Sequence, residues 1–389
     1  MDIYADNAAT TRMSKTAINA MLPYLDQIYG NPSSMHAKGR QASKALLAAR
    51  KTIAEVLNCK ANEITFTSGG SESDNQAILS AAAIGNKKNK RHIISSSIEH
   101  HAVLNTLEKL RKENFEVTLL NAHANGIIRP EELAASIRPD TALVTIMYAN
   151  NEIGSIQPIS KLGEICRKKG VIFHTDAVQA AGHININTEK ENIDMLSLSA
   201  HKFHGPKGTG ALYAREGIPL IKLVEGGAQE HGKRAGTENI PAILGMAAAL
   251  KEASDNIDYN NSKLLSMRDR LIDGLLRIPG TVLNGDQKLR LSGNVNVCFK
   301  GIDGRSLLLL LDEKGICASS GSACTSGSSA PSHVLLAIGR SHNMAHSSLR
   351  LSLSEENTSE EIEYMINAIN DSVSYLRSMP SAIFNLQNI

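Results

Sequence analysis

This sequence of 389 residues lacks several features that mark common classes of protein. Its 41 basic and 39 acidic side chains leave a net charge of only +2, so no excess of positive charge favours nucleic acid as a partner. No apolar run approaches the roughly 20 residues that a membrane-spanning helix requires. The start of the chain has no basic segment followed by an apolar one, so we expect a protein that is not secreted.

Cysteine is also scarce. The five cysteines are an odd number without the spacing of a disulfide framework, which favours the reducing cytoplasm. Cys317 and Cys324 have six residues between them and no Cys-x-x-Cys or His pair nearby, so we expect no structural zinc and no other resident metal. Cys59, Cys166 and Cys298 are expected to be buried as small apolar side chains.

The glycine-rich turns do not match the common nucleotide-binding motifs. Ser68-Gly69-Gly70-Ser71 is not followed by Gly-Lys-Ser/Thr, as in a P-loop, and does not fit Gly-x-Gly-x-x-Gly. The turn joins a predicted strand over 63–67 to a predicted helix from about Glu72, which points backbone N–H groups at an anion. Gly70 and Ser71 are therefore candidate phosphate ligands, although most such turns only connect elements.

Short apolar runs alternate with helix-like segments between about residues 62 and 215, as expected for a mostly parallel sheet flanked by helices. The predicted strands there are His92–Ser96, Glu116–Leu120, Ala142–Tyr148, Val171–His174 and Met195–Ser199. The predicted helices that follow are Ile240–Ala253 and Asn261–Arg277. The remaining pattern predicts a smaller α+β domain with a strand at Val295–Phe299, a helix at Ser306–Glu313 and a strand at Leu349–Leu353.

Two of the predicted strands lead into reactive side chains. Asp176 follows the apolar run over 170–174, and Lys202 closes Ser199-Ala200-His201-Lys202 after the run over 194–199. An amine for a Schiff base, a carboxylate for a pyridine nitrogen and donors for a phosphate are what pyridoxal phosphate requires. A lone lysine or aspartate in a loop is usually solvated or caps a helix, so the prediction of this cofactor depends on the combination.

The segment from Cys317 to Pro331 is rich in serine, glycine and alanine. It has too few large apolar residues to pack as a core element, which predicts a mobile surface loop with Cys324 exposed. A thiol on such a loop can reach a bound substrate and carry a group away covalently. We expect Cys317 to be packed at a strand end, with a disulfide to Cys324 as the alternative.

A series of motifs between about residues 3 and 355 closely resembles the cysteine desulfurases of the NifS/IscS-like group, which are class V aminotransferase-type enzymes. The motifs are Asp6-Asn7-Ala8-Ala9-Thr10-Thr11, Gly30-Asn31-Pro32-Ser33-Ser34, Thr67-Ser68-Gly69-Gly70-Ser71-Glu72-Ser73-Asp74-Asn75, Glu99-His100, Asn150-Asn151-Glu152-Ile153-Gly154, Ser199-Ala200-His201-Lys202, Arg234-Ala235-Gly236-Thr237-Glu238-Asn239 and Ser320-Gly321-Ser322-Ala323-Cys324-Thr325-Ser326. The resemblance implies an α/β fold of the aspartate-aminotransferase-like type (fold type I). It also implies a large cofactor-binding domain over 13–255 and a small domain formed by 1–12 and 256–389.

The resemblance implies roles for individual residues. Lys202 resembles the Schiff-base lysine, and Asp176 and Gln179 resemble the pair that contacts the pyridine nitrogen and the ring hydroxyl. His100 resembles the histidine that stacks on the ring and moves protons. The remaining implied cofactor-binding positions are Gly70, Ser71, Asn151, Ser199, Ala200, His201 and Thr237.

Further roles concern the substrate and the partner subunit. Asn151 and Arg350 resemble residues that hold the cofactor and the substrate carboxylate, and a planar guanidinium suits an amino-acid substrate. Thr237 resembles a threonine that is donated by the partner subunit, which implies a homodimer. The sequence departs from the family at Ala228 and His231, where relatives commonly have glycine and arginine. Residues 380–389 do not resemble the extension that docks a scaffold protein.

The implied activity is the conversion of L-cysteine to L-alanine through a persulfide on Cys324. The sulfur would pass in the cytoplasm to an acceptor or an iron–sulfur scaffold protein, and a transferred cluster at Cys324 is left open. Another aminotransferase or lyase that uses pyridoxal phosphate, including a selenocysteine lyase, is an alternative. A scaffold protein without enzymatic activity is an alternative of a different class.

Overall fold

The computed structural model describes residues 1–320 and 330–379. Its strands are β1 (Ile3–Tyr4), β2 (Ile64–Thr67), β3 (His92–Ser96), β4 (Glu116–Leu120), β5 (Thr141–Thr145), β6 (Ile172–Asp176), β7 (Met195–Ser199), β8 (Gly210–Ala214), β9 (Thr281–Leu283), β10 (Asn294–Phe299), β11 (Ile316–Cys317) and β12 (Ser348–Ser352). Its helices are α1 (Lys15–Asp26), α2 (Ala37–Leu57), α3 (Gly70–Lys87), α4 (His101–Lys112), α5 (Pro130–Ser136), α6 (Ile159–Lys169), α7 (Ile240–Asp255), α8 (Ile257–Leu276), α9 (Gly304–Glu313), α10 (His333–Ala337), α11 (His342–His346) and α12 (Ser359–Ser378).

The large sheet has seven strands in the order β2-β8-β7-β6-β5-β3-β4. Six strands run in the same direction, while β8 is antiparallel to both of its neighbours, β2 and β7. Every residue of β3, β5, β7 and β8 is buried, because helices such as α3 cover the sheet. The predicted α/β fold with a mostly parallel sheet is therefore confirmed.

The predicted strands β3, β4 and β7 have the observed bounds, whereas β5 ends at Thr145 instead of continuing to Tyr148. Beyond Thr145 the N–H groups of Ile146 and Tyr148 still donate to β6, but the N–H of Met147 donates to both carboxylate oxygens of Glu99, at 3.0 and 3.1 Å, instead of to a neighbouring strand. β6 extends two residues beyond the predicted end and finishes at Asp176. α3 begins at Gly70, two residues before the predicted start.

The C-terminal part contains a three-stranded antiparallel sheet in the order β12-β10-β9. Helices α8 and α9 pack against this sheet, and α12 packs against both helices. The N-terminal strand β1 pairs in parallel with β11, and Ile3 and Ala5 join an apolar cluster with residues between Leu264 and Leu376. The domain boundaries at residues 12/13 and 255/256 stay a prediction. No helix in the described ranges is long and apolar enough to cross a membrane.

The cysteines in the described ranges are free. Cys166 and Cys298 are buried, as predicted. Cys59 was expected to be buried but is partly exposed, because it lies two residues beyond the end of α2 in a surface turn. Cys317 ends the short strand β11, as predicted, but its side chain is partly exposed instead of packed, because it is the last residue of a strand of two residues.

Candidate functional site

A cavity of about 340 Å³ lies at the carboxyl edge of the large sheet. β6 ends there with Asp176, and β7 leads through Ser199 into a single turn of 3-10 helix that carries Lys202. Side chains meet at this edge because parallel strands all point their carboxyl ends to the same side. The cavity is lined by Ala8, Ala9, Gly70, Ser71, Asp74, His100, Met147, Asn151, Asp176, Val178, Gln179, Ser199, His201, Lys202 and Arg350.

The Lys202 ammonium lies against the N-terminal segment. Nζ donates to the carbonyl oxygens of Ala8 and Ala9, both at 2.7 Å. Nε2 of Gln179 donates to the carbonyl of Ala8 at 2.9 Å. The segment between β1 and α1 therefore orients the two predicted cofactor residues Lys202 and Gln179.

Two buried carboxyl groups share one wall of the cavity. Asp176 is 5% and Asp74 1% exposed. Burial raises the pKa of Asp176, although the N–H of Val178, at 2.9 Å from Oδ1, and the charge of Lys202 lower it. Burial raises the pKa of Asp74 well above its ordinary value, and repulsion by Asp176 adds to the shift. This wall is suited to a basic nitrogen that takes up or shares a proton.

His100 precedes α4 and caps it, because its Nδ1 accepts a hydrogen bond from the N–H of Ala102 at 3.1 Å. Burial lowers the pKa of His100 to about 4, with smaller effects from the charges of Lys202 and His101. The ring is therefore neutral near pH 7. Since Nδ1 is an acceptor, Nε2 carries the proton and is the atom that can donate it.

The turn after β2 has the geometry of an anion site. Gly69 has φ +152°, a conformation that glycine adopts at little cost, and α3 starts directly after it. The first N–H groups of α3 belong to Gly70 and Ser71, and the N-terminus of a helix favours a negative charge. Ser199 and His201 line the same cavity. Burial lowers the pKa of His201 to about 4, with contributions from nearby lysines.

Arg350 lies in β12 and reaches the cavity from the other side. Its Nη1 donates to the carbonyl of Asn151 at 3.1 Å, and its Nη2 lies 2.8 Å from Oδ1 of Asp6. Only 2% of the Arg350 side chain is exposed. A buried guanidinium in a cavity that also contains an amine is suited to holding the carboxylate of an amino acid.

Three of the residues implied by the resemblance are not part of this lining. Ala200 is fully buried in the 3-10 turn, where its backbone N–H donates to the carbonyl of Thr209. Thr237 lines a second cavity beside Thr67, Ser68 and Glu230. Cys324 lies outside the described residues, as do residues 380–389.

Some lining residues have no role assigned from the sequence. Asp74 stands inside the motif Thr67–Asn75, but the residue types around it do not indicate that it faces Asp176. The sequence also gave no role to four further lining residues, Met147, Val178, Ala8 and Ala9. A backbone carbonyl gives no signal in a sequence because every residue has one, and an apolar side chain is more often part of the core than of a site.

The donor set fits pyridoxal phosphate. Lys202 supplies the amine, and the buried wall of Asp176 and Asp74 faces the same cavity, with Asp74 Oδ1 lacking any hydrogen-bond partner. The start of α3 supplies backbone donors for a phosphate. In the described ranges no three His, Cys, Asp or Glu side chains are grouped to hold a metal ion.

Comparison with known proteins gives a consistent result. The aminotransferase class-V family matches residues 3–365. "Cysteine desulfurase IscS" of Methanosarcina thermophila is 52% identical over 377 residues, which cover 97% of this chain and 93% of the relative. "Cysteine desulfurase IscS" of Clostridium botulinum is 48% identical over 380 residues, which cover 97% of this chain and 96% of the relative.

Among solved structures, a "NIFS-LIKE PROTEIN" superimposes with a TM-score of 0.91 at 38% identity. The alignment covers 97% of this chain and 100% of that structure. The fold is therefore that of the pyridoxal-phosphate enzymes of fold type I. This chain belongs to the aminotransferase class-V family, and within it to the NifS/IscS-like cysteine desulfurases.

Proposed function

We propose that this chain converts L-cysteine to L-alanine and carries the released sulfur as a persulfide on Cys324. The observation that carries the proposal is one cavity in which an amine, a buried carboxyl group, a neutral imidazole and a buried guanidinium meet. These groups belong to Lys202, Asp176, His100 and Arg350. When bound, pyridoxal phosphate supplies an aldehyde for covalent attachment and a ring that accepts electrons from the substrate's α-carbon.

The side chains divide the work by position. Arg350 binds the substrate carboxylate and so orients the α-carbon in the cavity. Asp176 holds a proton at the deep wall, while Lys202 Nζ accepts and returns the α-proton. His100 Nε2–H is available to protonate the β-carbon once its sulfur has left, since Nδ1 is engaged by Ala102.

The sulfur step needs a thiolate from outside the described cavity. Cys324 as thiolate attacks the substrate sulfur, so that an S–S bond forms while the bond between the β-carbon and sulfur breaks. The electron pair of the broken bond remains on the substrate carbon, which becomes the methyl group of alanine after protonation. A reductant or an acceptor thiol then removes the sulfur from Cys324.

Measurement of alanine and sulfide together tests this proposal. We expect the purified protein with L-cysteine and a reductant to release both in equal amounts. Cys324→Ser should keep the cofactor absorbance and lose the release of both products by at least about a hundredfold, because a hydroxyl is a poor nucleophile toward sulfur. Cys317→Ser is the matched control and should retain both products.

Two results would contradict the proposal. Undiminished turnover by the Cys324→Ser variant would remove the thiol from the reaction. Turnover that yields an aminated cofactor without alanine would instead identify an aminotransferase.

We further infer that the chain acts as a homodimer in the cytoplasm and passes its sulfur to an acceptor protein, such as an iron–sulfur scaffold. The position of Thr237 supports the dimer. Within one chain Thr237 lines a different cavity from Lys202, so a second chain would have to bring the two together.

A heterodimer of Lys202→Ala and Thr237→Ala chains tests this arrangement. If Thr237 serves the partner's cavity, one of the two cavities in the heterodimer keeps both residues, and cofactor binding and turnover return at that site. If Thr237 serves its own chain, both cavities are defective. A monomer in sedimentation equilibrium, or a heterodimer without restored cofactor binding, would overturn the inference.

A further inference from the structure

The Arg350 guanidinium already has a counterion within its own chain. Its Nη2 lies 2.8 Å from Oδ1 of Asp6. The Arg350 and Asp6 side chains are only 2% and 21% exposed. Because the pair is largely withdrawn from water, its electrostatic interaction is stronger than that of a surface ion pair.

Asp6 is fixed by its neighbours, so the contact does not depend on a loose terminus. The N–H of Asn7 donates to the carbonyl of Ser352 at 3.2 Å, and the N–H of Ala8 donates to Ser352 Oγ at 2.8 Å. Ser352 lies in β12, two residues after Arg350. The N-terminal segment is thus attached to the strand that carries the arginine, and Asp6 is held beside it.

A substrate carboxylate would have to share this guanidinium. Arg350 carries one positive charge, and Asp6 already balances it. Glu152 also interacts with the charge of Arg350. Burial raises the pKa of Glu152 and the charge of Arg350 opposes this, with a net rise to about 7. A further carboxylate that enters the cavity therefore meets an arginine already close to acidic groups, which weakens its binding.

We propose that Asp6 is the resting counterion of Arg350 and that it weakens the binding of the amino-acid carboxylate. This inference deepens the proposed function, since it rests on Arg350 as the carboxylate site. L-cysteine and L-alanine carry the same carboxylate, so Asp6 lowers the affinity for substrate and product alike. Weaker product binding favours release of L-alanine. Tighter binding of substrate and product alike would slow that release.

Titration of the holoenzyme with L-alanine, followed by the cofactor absorbance, tests the counterion role. Asp6→Asn keeps a side-chain oxygen near Arg350 Nη2 but removes the charge. We expect the Kd for L-alanine to fall by about tenfold in this variant, because one repulsive charge interaction is lost. Asp6→Ser removes the charge with a smaller side chain and should lower the Kd in the same direction.

Matched controls separate charge from other effects. Ethylamine lacks the carboxylate, so its Kd should be the same in the Asp6→Asn variant and the wild type. Asp6→Glu keeps the charge and should keep the wild-type Kd for L-alanine. Asp2→Asn removes an exposed charge from the same segment and should change neither value.

The possible results are distinguishable. A higher or unchanged Kd for L-alanine in both neutral variants would overturn the proposal, as would an equal shift for ethylamine. A higher Kd would mean that Asp6 positions Arg350 rather than competing for it. The titration involves no sulfur chemistry, so failure to release alanine and sulfide from L-cysteine would refute the proposed function without affecting this test.

Discussion

Asp74 and Asp176 place two carboxyl groups in one wall that solvent barely reaches. Asp74 Oδ1 has no hydrogen-bond partner and lies 3.7 Å from Nε2 of His174. His174 is neutral near pH 7, because burial lowers its pKa to about 3. Asp74 therefore has no cation close by to stabilise its charge. Natural proteins retain such groups at sites where function outweighs stability.

We expect Asp74→Asn to stabilise the protein, and the effect to grow with pH. The folded state raises the pKa of Asp74 above its ordinary value of 3.8, so folding favours the protonated form. The contribution of Asp74 to stability is present below pH 3.8 and is lost as the pH rises toward the folded pKa. Thermal unfolding of the cofactor-free protein should show a higher Tm for Asp74→Asn at pH 8 and little difference near pH 4.

Asp371→Asn is the control for this experiment, since Asp371 is exposed on α12. It should leave the Tm unchanged at both pH values. A lower Tm for Asp74→Asn at pH 8 would show that the carboxylate form of Asp74 is stabilised in the fold, contrary to the argument from burial.

Some site residues could be predicted from the chemistry of their side chains, and others could not. Lys202 and Asp176 could be singled out because their combination matches one cofactor, although each residue alone is ordinary after a strand. Asp6 could not be assigned as the partner of Arg350, because 343 residues separate them in sequence. Contacts of that range depend on how the whole chain folds, which the local pattern of residues does not reveal.

At the scale of elements, two ion pairs hold the loop that leads to Thr237, and that of Arg50 with Glu230 is the more deeply buried. Glu230 accepts from Arg50 Nη2 at 2.6 Å and from Nη1 at 2.8 Å, and its Oε2 also accepts from the N–H of Phe66 at 2.8 Å. Several hydrogen bonds are what a buried charge needs to offset its desolvation. This pair attaches the loop to α2 and β2, and the ion pair of Arg234 with Glu72 attaches it to α3, so the loop before Thr237 is held by elements far away in sequence.

Strands were predictable where a short run is rich in large apolar residues, and β3, β4 and β7 have the predicted bounds. β8 was not predicted, because Gly210–Ala214 has only two large side chains, a leucine and a tyrosine, and the segment just before them contains two glycines. Its antiparallel direction has a simple cause. Only ten residues connect Ser199 to Gly210, too few for the crossover of a dozen or more that a parallel neighbour requires.

For the whole molecule, the first residues of the chain connect parts that the sequence separates widely. β1 pairs with β11, Asp6 contacts Arg350, and the carbonyls of Ala8 and Ala9 contact Lys202. The resemblance to the family predicted that the first dozen residues join the C-terminal part. Local sequence pattern could not, since a strand of two residues carries no periodicity.

A second connection between distant parts is the ion pair of His204 and Glu355. His204 follows Lys202 by two residues, and its Nε2 lies 3.4 Å from Oε1 of Glu355. Burial alone would lower the pKa of His204, but the hydrogen bond and charge of Glu355 raise it above 6.5 overall. Burial would raise the pKa of Glu355, but the hydrogen bond and charge of His204 outweigh burial, so the pKa of Glu355 falls to about 2.

This pair predicts a stability that depends on pH. The raised pKa of His204 contributes stability that is full below pH 6.5 and is lost as the pH rises through the folded pKa. The lowered pKa of Glu355 contributes stability above pH 4.5 that is lost as the pH falls toward 2. The pair therefore stabilises the molecule most between about pH 4.5 and 6.5.

His204→Asn tests this window, because asparagine tolerates the left-handed φ of +63° that residue 204 adopts. We expect the variant to lower the Tm by several degrees at pH 6 and by less at pH 9, because the charge of the wild-type imidazole is lost as the pH rises through its raised pKa. Glu355→Gln should show the same dependence, and the double variant should add little to either single one. Equal losses of Tm at pH 6 and pH 9 would show that His204 acts through its backbone conformation or packing, and that no charge links the segment after Lys202 to the C-terminal part of the chain.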